Sequence, residues 1–167
     1  METKHASPEI IGHVVDSRRP VRALIVSEVR LLCEGLAELL PREKSISVLG
    51  VSGDLEGAIS MSCVLQPDIV LLDAAFEHGL AAVAQLRDAV PGIRVVALAI
   101  AETEEEVISW AKAGVAGYVP RTTALADLVQ LLVDINNSRQ PCSSRVAFGL
   151  LQRLGQADGG EIGRAHV

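Results

Sequence analysis

Patterns typical of β-strands and of helices alternate five times along this 167-residue chain. Short aliphatic, often β-branched runs mark the predicted strands: Val21 to Val26, Ile46 to Val51, Ile69 to Leu72, Val95 to Ala99 and Ala116 to Val119. Apolar residues at helical spacing fill the segments between these strands and the segment after the last one. This alternation predicts an α/β fold in which helices cover both faces of a parallel sheet.

The ends of the predicted helices carry ordinary stop and start signals. Pro41 ends the first helix, Asp54 is a candidate N-cap for the second, and Gly114 is a candidate C-cap for the fourth. Right-handed crossovers leave few ways to connect the strands, and they favour a doubly wound, flavodoxin-like sheet of five parallel strands in the order 2-1-3-4-5.

Composition excludes several classes of protein. Nearly half of the residues are apolar but only 2% are aromatic, so the core must consist mainly of aliphatic side chains, and we place Cys33 and Cys63 in it. A net charge of −6 without a basic run argues against contact with nucleic acid by this chain. The chain shows neither a secretion signal nor an apolar run long enough for a membrane span, so we expect a cytoplasmic protein.

In a doubly wound sheet the working residues lie at the carboxyl ends of the strands. Those positions hold Ser27 and Glu28 after the first strand, Asp73 after the third, Ala99 at the fourth and Arg121 after the fifth. The first strand–helix turn lacks the glycines of a nucleotide-binding loop. A hydrolase triad built on Ser27, Asp73 and the nearby histidine lacks its Gly-x-Ser-x-Gly motif.

Four segments of the sequence resemble the receiver domain of bacterial response regulators of the NarL/LuxR type. They are Val21 to Val26, Gln66 to Asp73 (Gln-Pro-Asp-Ile-Val-Leu-Leu-Asp), Pro91 to Val96 and Ala113 to Arg121 (Ala-Gly-Val-Ala-Gly-Tyr-Val-Pro-Arg). The resemblance extends from Val21 to about residue 154. It implies a CheY-like fold and phosphoryl transfer from a histidine kinase, or another phosphodonor, to an aspartate.

Carried over position by position, the resemblance makes Asp73 the phospho-acceptor and Tyr118 the aromatic residue of the switch. It places Glu28 and Asp73 as ligands of a weak Mg²⁺ site, because Ser27 and Glu28 stand where the family has an acidic pair. Ala99 and Arg121 occupy the phosphate-contact positions, but Ala99 lacks the hydroxyl of the family's Thr or Ser and Arg121 replaces a lysine. The resemblance implies no catalytic residue for turnover of a substrate, so we do not expect an enzyme.

Each of these assignments has a simpler alternative. Asp73 can be a solvated carboxylate, Glu28 a favourable charge at a helix N-terminus, and Arg121 a surface charge. Tyr118 can pack at the edge of the core, and the three acids from Glu104 to Glu106 are interpreted as a solvated first helical turn.

The resemblance implies a receiver domain in a two-component phosphorelay that regulates transcription through a C-terminal DNA-binding domain missing from this chain. The departures predict impaired phosphorylation at Asp73 and an ion pair between Asp73 and Arg121. The alternative is a phosphorylation-independent pseudo-receiver that acts as a dimerisation or protein-interaction module. A homodimer is the expected assembly in both cases.

The chain divides into four expected segments. Residues 1–20 form a flexible leader and residues 21–138 the receiver-like domain. Residues 139–156 form a linker with an extra apolar helix from Val146 to Leu154, and residues 157–167 a disordered tail. The last seven residues, Glu-Ile-Gly-Arg-Ala-His-Val, are what one frame of a common sequencing adapter encodes, so we expect them to be foreign to the gene.

Overall fold

The computed structural model describes residues 19–137, which contain a five-stranded, entirely parallel sheet. The strands are β1 (Val21–Val26), β2 (Ile46–Ser52), β3 (Ile69–Asp73), β4 (Arg94–Ile100) and β5 (Gly117–Pro120). Their spatial order is β2-β1-β3-β4-β5, which confirms the predicted topology. The central strand β3 is buried along all five residues, as expected for a strand that is covered on both faces.

A helix follows each strand. The helices are α1 (Arg30–Leu39), α2 (Leu55–Leu65), α3 (Gly79–Ala89), α4 (Glu104–Ala113) and α5 (Leu125–Asn136). Residues of α2, α3 and α4 pack with one apolar cluster, whereas residues of α1 and α5 pack with another, so the sheet separates two helical layers. Burial of these two clusters is the main stabilising contribution of the fold.

Local signals fix most helix ends as the sequence predicts. The Asp54 carboxylate accepts a hydrogen bond from the backbone N–H of Gly57, and Gly114 ends α4 in the left-handed region at φ 98°. Pro41 lies in a short 3-10 helix, Leu40–Arg42, that follows α1 directly. The predicted bounds of the strands differ from the observed ones by at most one residue at either end, which is ordinary for propensity arguments.

The sequence prediction that both Cys33 and Cys63 lie in the core is wrong for one of them. Cys33 is buried as expected, but Cys63 is exposed because the neighbouring Ser62 occupies the inward-facing position of α2. Trp110 is almost fully buried between α4 and α3, where the absence of a Cβ at Gly79 makes room for its ring.

Several expectations lie outside the described residues. They are most of the leader (residues 1–18), the extra helix from Val146 to Leu154, and the tail at 157–167. Within residues 19–137, no helix has the length and apolar character that a bilayer crossing requires.

Candidate functional site

The carboxylate of Asp73 lies at the carboxyl end of β3 and is only 5% exposed. The Ser27 hydroxyl donates a hydrogen bond to its Oδ2 at 2.7 Å, and the backbone N–H of Ala75 donates to its Oδ1 at 2.9 Å. Burial of a carboxylate is tolerated only when its oxygens are hydrogen-bonded. Each oxygen of Asp73 therefore has a neutral donor supplied by the protein.

Ser27 is positioned for this contact by its own surroundings. Its side chain is buried, and its Oγ accepts a hydrogen bond from the backbone N–H of Val29 at 3.0 Å, which leaves the hydroxyl proton for Asp73. Residues Val26 of β1 and Leu72 of β3 are direct neighbours in the sheet, so the residues that follow them meet at the same edge. The hydrogen bond between Ser27 and Asp73 therefore joins the ends of β1 and β3 at the candidate site.

Cys33 lies directly behind this pair on α1. Its Sγ is 3.5 Å from the backbone oxygen of Ser27, which accepts a hydrogen bond from the thiol. Burial raises the pKa of Cys33; the hydrogen bond to Ser27 opposes this rise, and the nearby charge of Asp73 adds to it. The thiol therefore stays protonated and serves as a small core residue.

Glu28 is exposed and faces the loop that follows Asp73. Its Oε1 accepts a hydrogen bond from the backbone N–H of Glu77 at 2.7 Å. This contact joins the β1–α1 connection to the β3–α3 connection, so the carboxylate has a structural role that the sequence did not indicate.

Ala99 lies in a β-bulge near the end of β4. Leu98 pairs with Val119 and Ile100 pairs with Pro120, so Ala99 has no partner in β5. Its φ is 67°, in the left-handed region that non-glycine residues seldom adopt. The position therefore combines backbone strain with the absence of a side-chain hydrogen-bond donor.

Replacing Ala99 with glycine is expected to raise the free energy of unfolding by about 0.5–1 kcal/mol, because relief of left-handed strain exceeds the extra flexibility of the unfolded chain. Replacing it with threonine is expected to lower that free energy by about 1–3 kcal/mol, since β-branched residues fit this conformation poorly. Urea denaturation measures both changes. Ala97→Gly on the same strand is the control and should only destabilise; if Ala99→Gly does the same, the strain is absent.

Tyr118 lies on β5, next to β4, and is partly buried. Its hydroxyl donates a hydrogen bond to Oε1 of Glu102 at 3.1 Å. Burial raises the pKa of Tyr118, and the hydrogen bond to Glu102 and the charge of Glu102 raise it further. The phenol is therefore neutral at ordinary pH and fixed to the segment that follows β4.

Arg121 follows β5 at the same edge, but its side chain is exposed. Its backbone N–H donates to the carbonyl oxygen of Ile100 at 2.9 Å. Within residues 19–137 no ion pair joins its guanidinium to Asp73, so the predicted Asp73–Arg121 ion pair is wrong for this structure. Since neutral donors already satisfy the buried Asp73, the guanidinium stays hydrated instead of losing its solvation.

Sequence reasoning missed the role of Glu106. Its Oε2 accepts a hydrogen bond from the backbone N–H of Ala101 at 3.1 Å, and its own N–H donates to the Thr103 hydroxyl that caps α4. The signal was present in the sequence, because Thr103-x-x-Glu106 is a capping-box pattern. The interpretation of this turn as merely solvated is therefore wrong for Glu106, which is partly buried.

Comparison with known proteins identifies the family to which this arrangement belongs. A family model described as the response regulator receiver domain matches residues 23–133, which include strands β2 to β5 and most of β1. The chain belongs to the response regulator receiver family. Receiver domains of this family interact with histidine kinases and often dimerise.

The relatives of this receiver domain are regulators of the NarL/LuxR type. The nitrate/nitrite response regulator NarL of Escherichia coli K12 is 27% identical over 71% of this chain and 56% of its own length. The transcriptional regulatory protein LiaR of Bacillus subtilis is 24% identical over 80% of this chain and 64% of its own length.

A solved signal receiver domain of a NarL response regulator from Mycobacterium tuberculosis has the same fold. It superposes with a TM-score of 0.66 and 23% identity, over 72% of this chain and 99% of that domain. The chain spans about half to two thirds of the length of the curated relatives it matches.

Receiver domains generally bind Mg²⁺ at the acceptor site. In this chain both predicted ligands already accept hydrogen bonds. Asp73 accepts from Ser27 and Ala75, and Glu28 accepts from Glu77. Across residues 19–137 no three His, Cys, Asp or Glu side chains are grouped as metal ligands. Mg²⁺ is commonly held by one or two carboxylates together with waters, so Asp73 and Glu28 are the residues that would hold it, in competition with these hydrogen bonds.

Proposed function

We propose that this receiver domain acts without phosphorylation of Asp73, as an interaction module within a transcription regulator. The observation that carries the proposal is the pair of neutral hydrogen bonds to the buried Asp73 carboxylate, from Ser27 and Ala75. A phospho-acceptor must present one carboxylate oxygen to the incoming phosphoryl group. In this arrangement a neutral donor already competes for each oxygen.

The surroundings of Asp73 offer little to a phosphorylated product. A phosphoryl group brings a charge of about −1.5 to −2 and three strong acceptor oxygens. Ala99 has no hydroxyl to donate, Arg121 is turned to solvent, and Ser27 stands at the position of an acid. The carboxylate thus contributes to the fold as a hydrogen-bond acceptor at the edge of the sheet.

A phosphorelay with low efficiency is the second candidate function. The observation in its favour is that Asp73 itself is present at the carboxyl end of the buried strand β3, with a cationic residue, Arg121, after β5. In this case a histidine kinase or another phosphodonor would transfer the phosphoryl group to Asp73 after the Ser27 hydroxyl rotates away.

The wider role follows from the relatives. Because the relatives include a transcriptional regulatory protein, we propose that the natural protein regulates transcription in the cytoplasm as a homodimer. Residues 21–138 are then the regulatory part. DNA contact is assigned to a separate domain, since the acidic receiver domain has no basic surface run.

Incubation with acetyl phosphate and Mg²⁺, followed by intact-protein and peptide mass spectrometry, tests the proposal. The receiver domain of E. coli NarL serves as the reference and Asp73→Asn as the blank. We expect no phosphoryl mass increment on this chain under conditions that label the reference. Stoichiometric labelling that is lost in Asp73→Asn would favour the phosphorelay instead.

A further inference from the structure

The segment that runs from the end of β4 to the start of α4, residues 99–103, follows an unusual backbone path. Ala99 and Glu102 both have positive φ, 67° and 56°, although neither is glycine. Backbone of this kind persists only where its surroundings impose it. We call residues 99–103 the β4–α4 connection.

An apolar side chain anchors the start of the connection. Ile100 follows the bulge at Ala99 and is 0% exposed in the cluster that contains Trp110 and Val107 of α4. The bulge directs Ala99 toward the α1–α5 layer and Ile100 toward the α2–α4 layer. Any rearrangement of the connection must withdraw Ile100 from this cluster, which is unfavourable.

Two carboxylates hold the rest of the connection. Glu106 accepts from the backbone N–H of Ala101 at 3.1 Å, and Glu102 accepts from the Tyr118 hydroxyl at 3.1 Å. The first bond joins the connection to α4 and the second joins it to β5. Three successive residues of the connection are therefore held in place: Ile100 by the apolar cluster, Ala101 by α4 and Glu102 by β5.

The hydrogen bonds of the Asp73 side chain go to Ser27 and Ala75 and not to this connection. The residue after it, Ala74, donates its backbone N–H to the carbonyl oxygen of Leu98 at 2.9 Å, and Ala99 offers only a methyl group. A change at Asp73 therefore has no hydroxyl at position 99 through which to move the connection.

We infer that Ile100 and Glu106 are positioning residues that hold the β4–α4 connection in a single conformation. A switch requires two conformations of similar free energy, and these contacts favour one of them. The inference rests on the proposed function, in which Asp73 is not phosphorylated, and it adds that the connection itself does not switch.

Amide hydrogen exchange and relaxation dispersion by NMR on the full chain test this inference. In the unmodified protein we expect a protected Ala101 amide and no microsecond-to-millisecond exchange in residues 99–103. Loss of a hydrogen bond to a charged acceptor in Glu106→Ala should speed exchange of Ala101 by about tenfold or more. Glu106→Gln keeps an acceptor oxygen, so its Ala101 exchange should stay within about threefold of the original rate.

Thr103→Ala is the matched control, because it removes the N-cap of α4 but leaves the Glu106–Ala101 bond. It should raise exchange at the first amides of α4 and leave Ala101 protected. Millisecond exchange across residues 99–103 in the unmodified protein would overturn the inference, as would an Ala101 amide that Glu106→Ala does not affect. The phosphoryl labelling assay remains separate: labelled Asp73 with a static connection contradicts the proposed function but not the fixed connection.

Discussion

Replacing Ser27 with aspartate is expected to destabilise the metal-free domain by about 3–5 kcal/mol and to make its stability dependent on Mg²⁺. The Ser27 hydroxyl lies 2.7 Å from Asp73, so the new carboxylate faces a buried carboxylate where a donor stood before. An unpaired buried charge costs this much in measured cases. One of the two carboxyls is expected to hold a proton, so the loss should shrink as pH falls.

Mg²⁺ is expected to rescue the Ser27→Asp variant because two adjacent carboxylates form the donor set that the original sequence lacks. A ligand at about 100 times its dissociation constant contributes roughly 2.7 kcal/mol of stability to the state that binds it. Thermal denaturation with and without Mg²⁺ measures the effect. Ser27→Asn is the matched uncharged control, and neither it nor the unmodified protein should respond. An equal Mg²⁺ response in the unmodified protein would show that the site already fits the ion.

Replacing Ile100 with alanine is expected to lower the free energy of unfolding by about 2–5 kcal/mol, the range for truncating a fully buried aliphatic side chain. Ile100 is 0% exposed and packs where β4 meets α4, near Trp110. Urea denaturation followed by the fluorescence of Trp110, the only tryptophan, gives the change directly from the midpoint.

Leu31→Ala is the control for Ile100→Ala because Leu31 is 80% exposed on α1. A surface truncation of this kind should change stability by less than about 0.5 kcal/mol. Similar small losses in both variants would mean that Ile100 is not the anchor of the β4–α4 connection.

The fold was predictable from the sequence because it follows mainly from the order of strand and helix patterns along the chain. Five aliphatic runs separated by helical patterns specify a parallel sheet, and the handedness of crossovers selects the order of its strands. Burial of individual residues was less predictable. Cys63 and Ser62 are neighbours on α2, and a rotation of the helix by one residue decides which of them faces the core.

The edge of the sheet that carries the site was also predictable, but its contacts were not. The sequence places Ser27 and Asp73 at the ends of their strands, whereas their hydrogen bond depends on the register in which Val26 meets Leu72. The predicted partner of Asp73 was Arg121, which the structure leaves in solvent. That pair was predicted from the opposite charges alone. The buried carboxylate is instead bound by neutral donors, because burying the guanidinium would have cost its solvation.

The strain at Ala99 could not be predicted at all. A positive φ is usually anticipated from glycine, and position 99 is alanine. In the pairing of β4 with β5, Leu98 lies opposite Val119 and Ile100 lies opposite Pro120. This register shows that Ala99 is an extra residue in β4. The same bulge places Ile100 in the core.

The proposed function requires a hydrogen-bonded Asp73 that offers no site for a phosphoryl group. Titration with beryllofluoride and Mg²⁺, followed by ¹⁹F NMR, tests it directly. We predict no bound fluoride resonance at concentrations that saturate the receiver domain of E. coli NarL. A saturable, Mg²⁺-dependent resonance that disappears in Asp73→Asn would contradict the account.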